Sequence, residues 1–176
     1  MASASQADLL NLANDIARQA KAAGADDADV LIGAGTEFSV TIRKQDVENI
    51  VEASSRSMGL RVIKGGRVAV SYSSDFSPDS LKAFVASTID MAAISDVDEA
   101  AGLPDEADGY GTATVAGMYD TDIADMDADR AIELARRCEQ AAFDADARIT
   151  NSGGASYGYE TGLRVLANTR GFAGAY

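Results

Sequence analysis

Gly59-Leu60-Arg61-Val62-Ile63-Lys64-Gly65-Gly66-Arg67-Val68-Ala69-Val70-Ser71-Tyr72 is the stretch that decides how the rest of the chain is read. Apolar and polar residues alternate on both sides of Gly65-Gly66, and the two glycines supply the positive φ that both central positions of a type I′ turn require. The stretch predicts an antiparallel hairpin. Upstream, Phe38, Val40 and Ile42 alternate with Glu37, Ser39, Thr41 and Arg43, the period-two mark of a half-buried strand. Ala28 to Ile32 reads as a short strand before it. Lys44-Gln45-Asp46 reads as a tight connection after it, and Val47 to Ala53 extends again.

Outside this strand-rich block the period changes. Leu9, Leu12, Ala13, Ile16, Ala17 and Ala20 recur at helical spacing within residues 5–24, with Ser5 or Asp8 as the opening cap and Gly24 as the close. Ser77-Pro78-Asp79 gives an N-cap, a proline at the first helical position and an acid in the first turn; Leu81, Phe84, Val85, Thr88, Ile89 and Ala92 then share one face of a helix over 78–94. Residues 95–127 shift to Asp, Glu, Gly and Ala with Pro104, and lose their periodicity. A third helix begins near Asp127 or Asp129, with Ala131, Leu134, Ala135, Cys138 and Ala142 as its expected buried stripe. Arg148–Asn151, Ala155–Glu160 and Gly162–Ala167 read as strands, and residues 172–176 start a returning strand after the turn at 168–171. The expected organisation is a layered unit over 1–94, an acidic linker or surface excursion over 95–127, and over 128–176 a helix plus the start of a second strand-rich region. Because the text stops in mid-element, a fragment cut before a C-terminal domain is expected. The fold class is α+β, a mostly antiparallel sheet with helices packed on it.

Composition limits the chemistry. The 176 residues contain no histidine and one cysteine, so a His-bearing zinc site, a His-based triad and an internal disulfide are all excluded within them. Fifteen basic against 28 acidic residues give a net charge of -13, which opposes binding to nucleic acid and to anionic membrane surfaces. With neither a signal-peptide pattern nor a membrane-length apolar run, a cytoplasmic protein is expected.

Each candidate site has a plainer structural reading. Gly154-Ala155-Ser156-Tyr157-Gly158 matches the nucleophile-elbow pattern G-x-S-x-G, yet its flanks alternate like a strand on both sides. Asn151-Ser152-Gly153-Gly154 and Lys64-Gly65-Gly66-Arg67 lack the strand-to-helix context of a phosphate loop and read as turns. Asp120, Asp122, Asp125, Asp127 and Asp129 do not fit calcium-loop spacing, since positions six and twelve counted from Asp120 hold Asp125 and Ala131; acids near a helix N-terminus account for them. Cys138 is expected to be a buried small residue. Tyr110, Tyr119, Tyr157 and Tyr159 read as half-buried strand residues rather than a recognition patch. Glu48 and Glu52 as a hydrolase pair is the weakest reading, since acids at even spacing on a strand are ordinary. Catalytic, cofactor-binding and metal-ligating residues are therefore none. Possible sheet edges leave one binding mode open, a stand-alone peptide- or protein-binding module that works by strand addition.

The order and spacing of several segments resemble a known family. Phe38–Arg43, Val47-Glu48-Asn49-Ile50, the Gly59–Val68 hairpin, Ser73-Ser74-Asp75-Phe76-Ser77-Pro78, Ala101-Gly102-Leu103-Pro104-Asp105, Arg148-Ile149-Thr150-Asn151 and Asn168-Thr169-Arg170-Gly171-Phe172 together are similar to the N-terminal part of the TldD/PmbA metallopeptidases, on the PmbA or TldE branch. Lys44-Gln45-Asp46 departs from the glycine-bearing turn usual there. The resemblance implies a subunit of a TldD–PmbA heterodimer that degrades unfolded or linear peptides and matures microcin-type peptides. It also implies zinc held by the TldD partner. No position here matches the family's H-E-x-x-x-H motif, so no ligand carries over.

Overall fold

The computed structural model describes residues 5–105 and 117–176. Elements follow in the order α1 (Gln6–Ala22), β1 (Asp27–Arg43), β2 (Asp46–Lys64), β3 (Arg67–Ser73), α2 (Pro78–Ile94), α3 (Thr121–Ala124), α4 (Ala128–Ala145), β4 (Ala155–Asn168) and β5 (Ala173–Ala175). The strands make one five-stranded antiparallel sheet in the order β3-β2-β1-β4-β5. Lys64 stands opposite Arg67 and Met58 opposite Ser73, with Gly65 and Gly66 at φ 57° and 69°. This is the type I′ geometry expected of Gly-Gly. β5 pairs with β4 from Val165↔Ala175 to Ala167↔Ala173, so the returning strand forms as expected.

Three strands are longer than their sequence suggests. The segments 28–32 and 38–42 are one strand, β1, running through Gly33-Ala34-Gly35. A Cβ on Gly35 would lie 2.7 Å from the Thr161 carbonyl oxygen, so the glycine admits a neighbouring backbone and does not break the strand. Likewise 47–53 and 60–63 join as β2, and 155–160 and 162–167 join as β4. By contrast, Arg148–Asn151 is not a strand. There the Asp146 carboxylate accepts from the Arg148 backbone N–H at 2.8 Å and pairs with its guanidinium, which bends the chain.

The described residues fall into two compact units. The first draws on 5–34, 56–105 and 163–176; the second on 35–55 and 117–162. In the first, Leu9, Ala13, Ile16, Ala17 and Ala20 of α1 and Leu81, Val85, Ile89 and Ala92 of α2 pack with Val30, Ile32, Leu60, Val62 and Val165 of the sheet. Ser5 and Asp8 close a capping box on α1, and Gly24 follows its end at φ 99°. Ser77 makes no side-chain cap on α2. Asp75 orders that entry instead, accepting from the Ser77 N–H and the Ser80 hydroxyl, and these bonds hold its carboxyl below the usual range. The buried α2 hydroxyl of Thr88 donates to the Phe84 carbonyl at 2.7 Å.

The second unit has a smaller core of Phe38, Val40, Ile42, Ala131 and Ala135, with Met126, Ile132, Tyr157 and Tyr159 against it. The α4 stripe differs from the expected one. Ala131, Ala135 and Glu139 are its buried residues, while Cys138 and Ala142 are exposed and Leu134 is half-buried. Positions 131, 135, 139 and positions 134, 138, 142 are two parallel four-residue rows on the helix, and it is the first that is buried. No helix among the described residues is long and apolar enough to cross a membrane.

Candidate functional site

The most concentrated polar site in the second unit is built around Glu139, a carboxylate only 2% exposed. The connection between β1 and β2 is a two-residue turn whose central residues, Lys44 and Gln45, both sit at positive φ, 52° and 67°. Such a turn directs two backbone N–H groups to one side, a concavity for an anion. Glu139 fills it: Oε1 accepts from Lys44 N at 2.9 Å and Oε2 from Gln45 N at 2.7 Å. Gln45 Nε2 donates to Oε2 at 3.1 Å and to the Arg136 carbonyl at 3.2 Å, and Arg136 Nε returns a bond to the Gln45 carbonyl at 3.0 Å. The Ser152 hydroxyl donates to Oε1 and itself accepts from Gly154 N at 3.1 Å. With donors on both oxygens the anion is favoured: Ser152 first, then the two turn amides and Gln45, lower the Glu139 carboxyl against the opposing effect of burial. A carboxylate so occupied is a poor proton acceptor. The Ser152–Glu139 contact therefore fixes structure and does not activate a nucleophile.

The elbow-like Gly154–Gly158 segment has a different geometry from a nucleophile elbow. Ser156 lies within β4, its hydroxyl 2.9 Å from that of Thr41, and Thr36 and Thr161 make a second such pair at 2.9 Å. These are cross-strand threonine and serine pairs. A Cβ on Gly154 would meet the Ile42 carbonyl oxygen at 2.9 Å, and φ there is +103°, so its glycine answers to packing and backbone together. Tyr159 stacks on Phe38 with ring centroids 5.3 Å apart and donates its hydroxyl to the Met126 carbonyl at 2.9 Å. Tyr157 packs on the same core, Tyr119 is exposed, and Tyr110 lies outside the described residues.

Asp120 and Asp127 are helix N-caps: Asp120 accepts from the N–H groups of Asp122 and Ile123, and Asp127 accepts from that of Arg130 at 2.7 Å. Glu48 lies 3.5 Å from Arg43, and Glu52 is exposed. Cys138, expected to be buried, is exposed on a shallow face of α4 beside Arg137 and Ala141.

In the first unit, Arg170 forms a second clamp. Its guanidinium donates to Asp27 Oδ2 at 2.7 Å, to Asp105 Oδ1 at 2.6 Å and to the Leu103 carbonyl at 3.0 Å. Thr169 donates to Asp27 Oδ1 at 3.1 Å and accepts from Ala28 N at 3.0 Å. Arg170, above all, and Thr169 hold the Asp27 carboxyl below its usual range although burial opposes them. The clamp ties the turn after β4 to the start of β1 and to the acidic segment, whose Leu103 is buried.

Zinc chemistry does not fit these side chains. The sequence has no imidazole, its one thiol stands alone, and no group of three or more Cys, Asp or Glu among the described residues is arranged to hold a metal ion.

The fold and its internally satisfied polar clusters define a layered α+β domain in which both clamps serve to hold chain segments in place. Residues 28–92 match the model for "PmbA/TldA metallopeptidase domain 1", and residues 121–176 match that for the "PmbA/TldA metallopeptidase central domain". The chain belongs to the PmbA/TldD family of metallopeptidases. It is 32% identical over 174 residues to Metalloprotease PmbA of Escherichia coli O157:H7, covering 97% of this chain and 38% of that protein. It is 34% identical over 149 residues to the Metalloprotease PmbA homolog of Haemophilus influenzae, covering 85% of this chain and 33% of that one. The chain thus spans about a third of the length of these relatives. Among solved structures it is similar to a putative modulator of DNA gyrase from Bacteroides thetaiotaomicron, with TM-score 0.85 and 26% identity over 94% of this chain and 38% of that one. TldE from Thermococcus kodakarensis shares the fold, with TM-score 0.77 and 15% identity over 92% of this chain and 36% of that one.

Proposed function

We propose that this chain is the N-terminal, non-catalytic part of a cytoplasmic PmbA/TldE-like subunit, acting with a TldD-like zinc protease chain to degrade or process unfolded and linear peptides, microcin-type maturation included. The observation that carries the reading is the ordered match to both family domains in a chain whose Glu139 and Asp27 carboxylates are committed to structure. In this role the domain forms part of the wall and entrance of a peptide-degrading chamber and contributes to dimerisation, while zinc resides in the partner.

The test is co-expression of the full-length protein with a TldD-like chain, followed by affinity capture and cleavage of an unfolded casein-like substrate. Capture of the partner and cleavage that is lost on chelation are expected. Activity of this chain alone that survives chelation, or one tightly held zinc per chain, overturns the assignment.

A second reading, a stand-alone module that binds peptide by strand addition, is favoured by one observation: β2 runs 19 residues, but β3 pairs with only its last seven, Met58 to Lys64.

A further inference from the structure

We infer that the outer edge of β2 from Asp46 to Ser55 is a docking edge for an extended, basic polypeptide segment that adds to the sheet as an antiparallel strand. The inference deepens the strand-addition reading and does not depend on the protease partnership, so the two fail separately.

The argument starts from the turn. A two-residue hairpin makes the flanking residues, Arg43 and Asp46, a hydrogen-bonded pair, as Lys64 and Arg67 are across the Gly-Gly turn. Hydrogen-bonded and open pairs then alternate, so Asp46, Glu48 and Ile50 turn their N–H and C=O groups toward β1. Val47, Asn49 and Val51 turn theirs outward. Among the described residues no strand pairs with that side, because β3 begins its pairing only at Met58. Every side chain from Asp46 to Ser55 is exposed, including Val47 at 40%, Ile50 at 46% and Val51 at 38%. An open edge of this length is usually blunted by charged side chains, proline, a bulge or a covering loop. Residues 46–55 contain no proline, and the charge they carry is all acidic, which repels acidic strands and leaves basic ones free to add.

The side chains state what the edge accepts. One face of this stretch presents Asp46, Glu48, Ile50, Glu52 and Ser54; the other presents Val47, Asn49, Val51, Ala53 and Ser55. Among the described residues, the one basic residue paired with these acids is Arg43, 3.5 Å from Glu48 and half-exposed. A strand laid alongside meets the acids directly across, where opposite charge stabilises and like charge repels. The complementary segment carries Lys or Arg at alternate positions and small or branched apolar residues between them.

The probe is a synthetic peptide of alternating Lys and Val, as long as the edge, titrated into the full chain and followed by fluorescence anisotropy. In antiparallel addition the peptide residues opposite Asn49 and Val51, the valines, exchange the hydrogen bonds. N-methylation of the valines is expected to weaken binding at least about tenfold, while N-methylation of the lysines leaves it near the parent value. Asn49→Pro removes an outward N–H without breaking the β1 ladder, so it is expected to abolish binding with the thermal melt unchanged. Glu48→Lys with Glu52→Lys is expected to move the preference to an alternating Glu and Val peptide. Equal loss from methylation of valines and of lysines reports charge attraction alone and overturns the proposal. So does a dimer seen in sedimentation that Asn49→Pro dissociates, since this edge is then filled by a second copy of the chain.

Discussion

In the first unit the Lys64–Arg67 turn reaches positive φ through two glycines, whereas in the second the Arg43–Asp46 turn reaches it through Lys44 and Gln45. Glycine supplies the first turn's backbone freedom, and the turn also takes outside contacts: the Asp26 carboxylate accepts from Gly65 N at 2.6 Å, and Asp98 N donates to the Gly66 carbonyl at 2.7 Å. The second turn is held from outside by a buried carboxylate on a helix ninety-odd residues away in sequence. The cores differ as well. Leucine, isoleucine and valine packed among alanines fill the first, while α4 offers the second Ala131, Ala135 and the half-buried Ile132 and then an acid. Both turns place an amide on a distant carboxylate; the second, which lacks glycine, commits both of its amides to one buried acid.

The sharpest way to break this contrast is to remove apolar volume from the first unit. Leu60 is fully buried in the β2 segment paired with β3, so Leu60→Ala is expected to cost about 2–5 kcal/mol in chemical denaturation. A loss below about 1 kcal/mol would mean that burial is not what holds that unit.

Glu139→Ala tests the other side. It leaves the amides of Lys44 and Gln45 without their acceptor, and their hydrogen exchange is expected to accelerate on the order of 10–100-fold while amides of α1 stay protected. Glu139→Gln keeps the volume and one acceptor oxygen, so it is expected to fall between. Acid should mimic the alanine variant. The folded carboxyl is lowered, so its stabilisation is present above its ordinary value of 4.5 and is lost as pH falls through the folded value. Protection at Lys44 and Gln45 is therefore expected to be flat at neutral pH, to fall below about pH 4.5, and to lose that dependence in Glu139→Gln.

The same contrast explains what was legible in the sequence. The first unit was nearly all readable, because Leu9, Ala13, Ile16 and Leu81, Val85, Ile89 repeat at helical spacing and Gly65-Gly66 marks its turn. Strand lengths were underread, because Gly35 looks like a break until the Thr161 backbone is seen beside it. The Glu139 site has no signature in the sequence pattern. An acid on a helix reads as solvated, and its partners at 44, 45 and 152 share no periodicity with it. The one available signal was the absence of glycine at Lys44-Gln45, a tight turn that needed an outside donor or acceptor to hold it. Cys138 was misplaced for the same reason: the helix orients to bring Glu139 to the turn, which carries the thiol outward.

The smallest effects come from exchanging the two turns' chemistry, and their signs matter more than their size. A non-glycine residue in the left-handed region costs about 1–2 kcal/mol, and glycine gives back about 0.5–1 kcal/mol through its greater freedom in the unfolded chain. Lys44→Gly keeps the amide that Glu139 binds, so it is expected to stabilise by about 0.5 kcal/mol. Gly65→Ala meets no atom within 4 Å, so the cost of its φ of +57° is offset only by alanine's smaller freedom in the unfolded chain, and a loss of about 0.5 kcal/mol is expected. Gln45→Gly should differ from Lys44→Gly, because it also removes the bonds from Nε2 to Glu139 and to the Arg136 carbonyl. If Lys44→Gly and Gln45→Gly stabilise equally in thermal melts, the side-chain half of the clamp contributes nothing. The turn would then be held by its two amides on Glu139 alone.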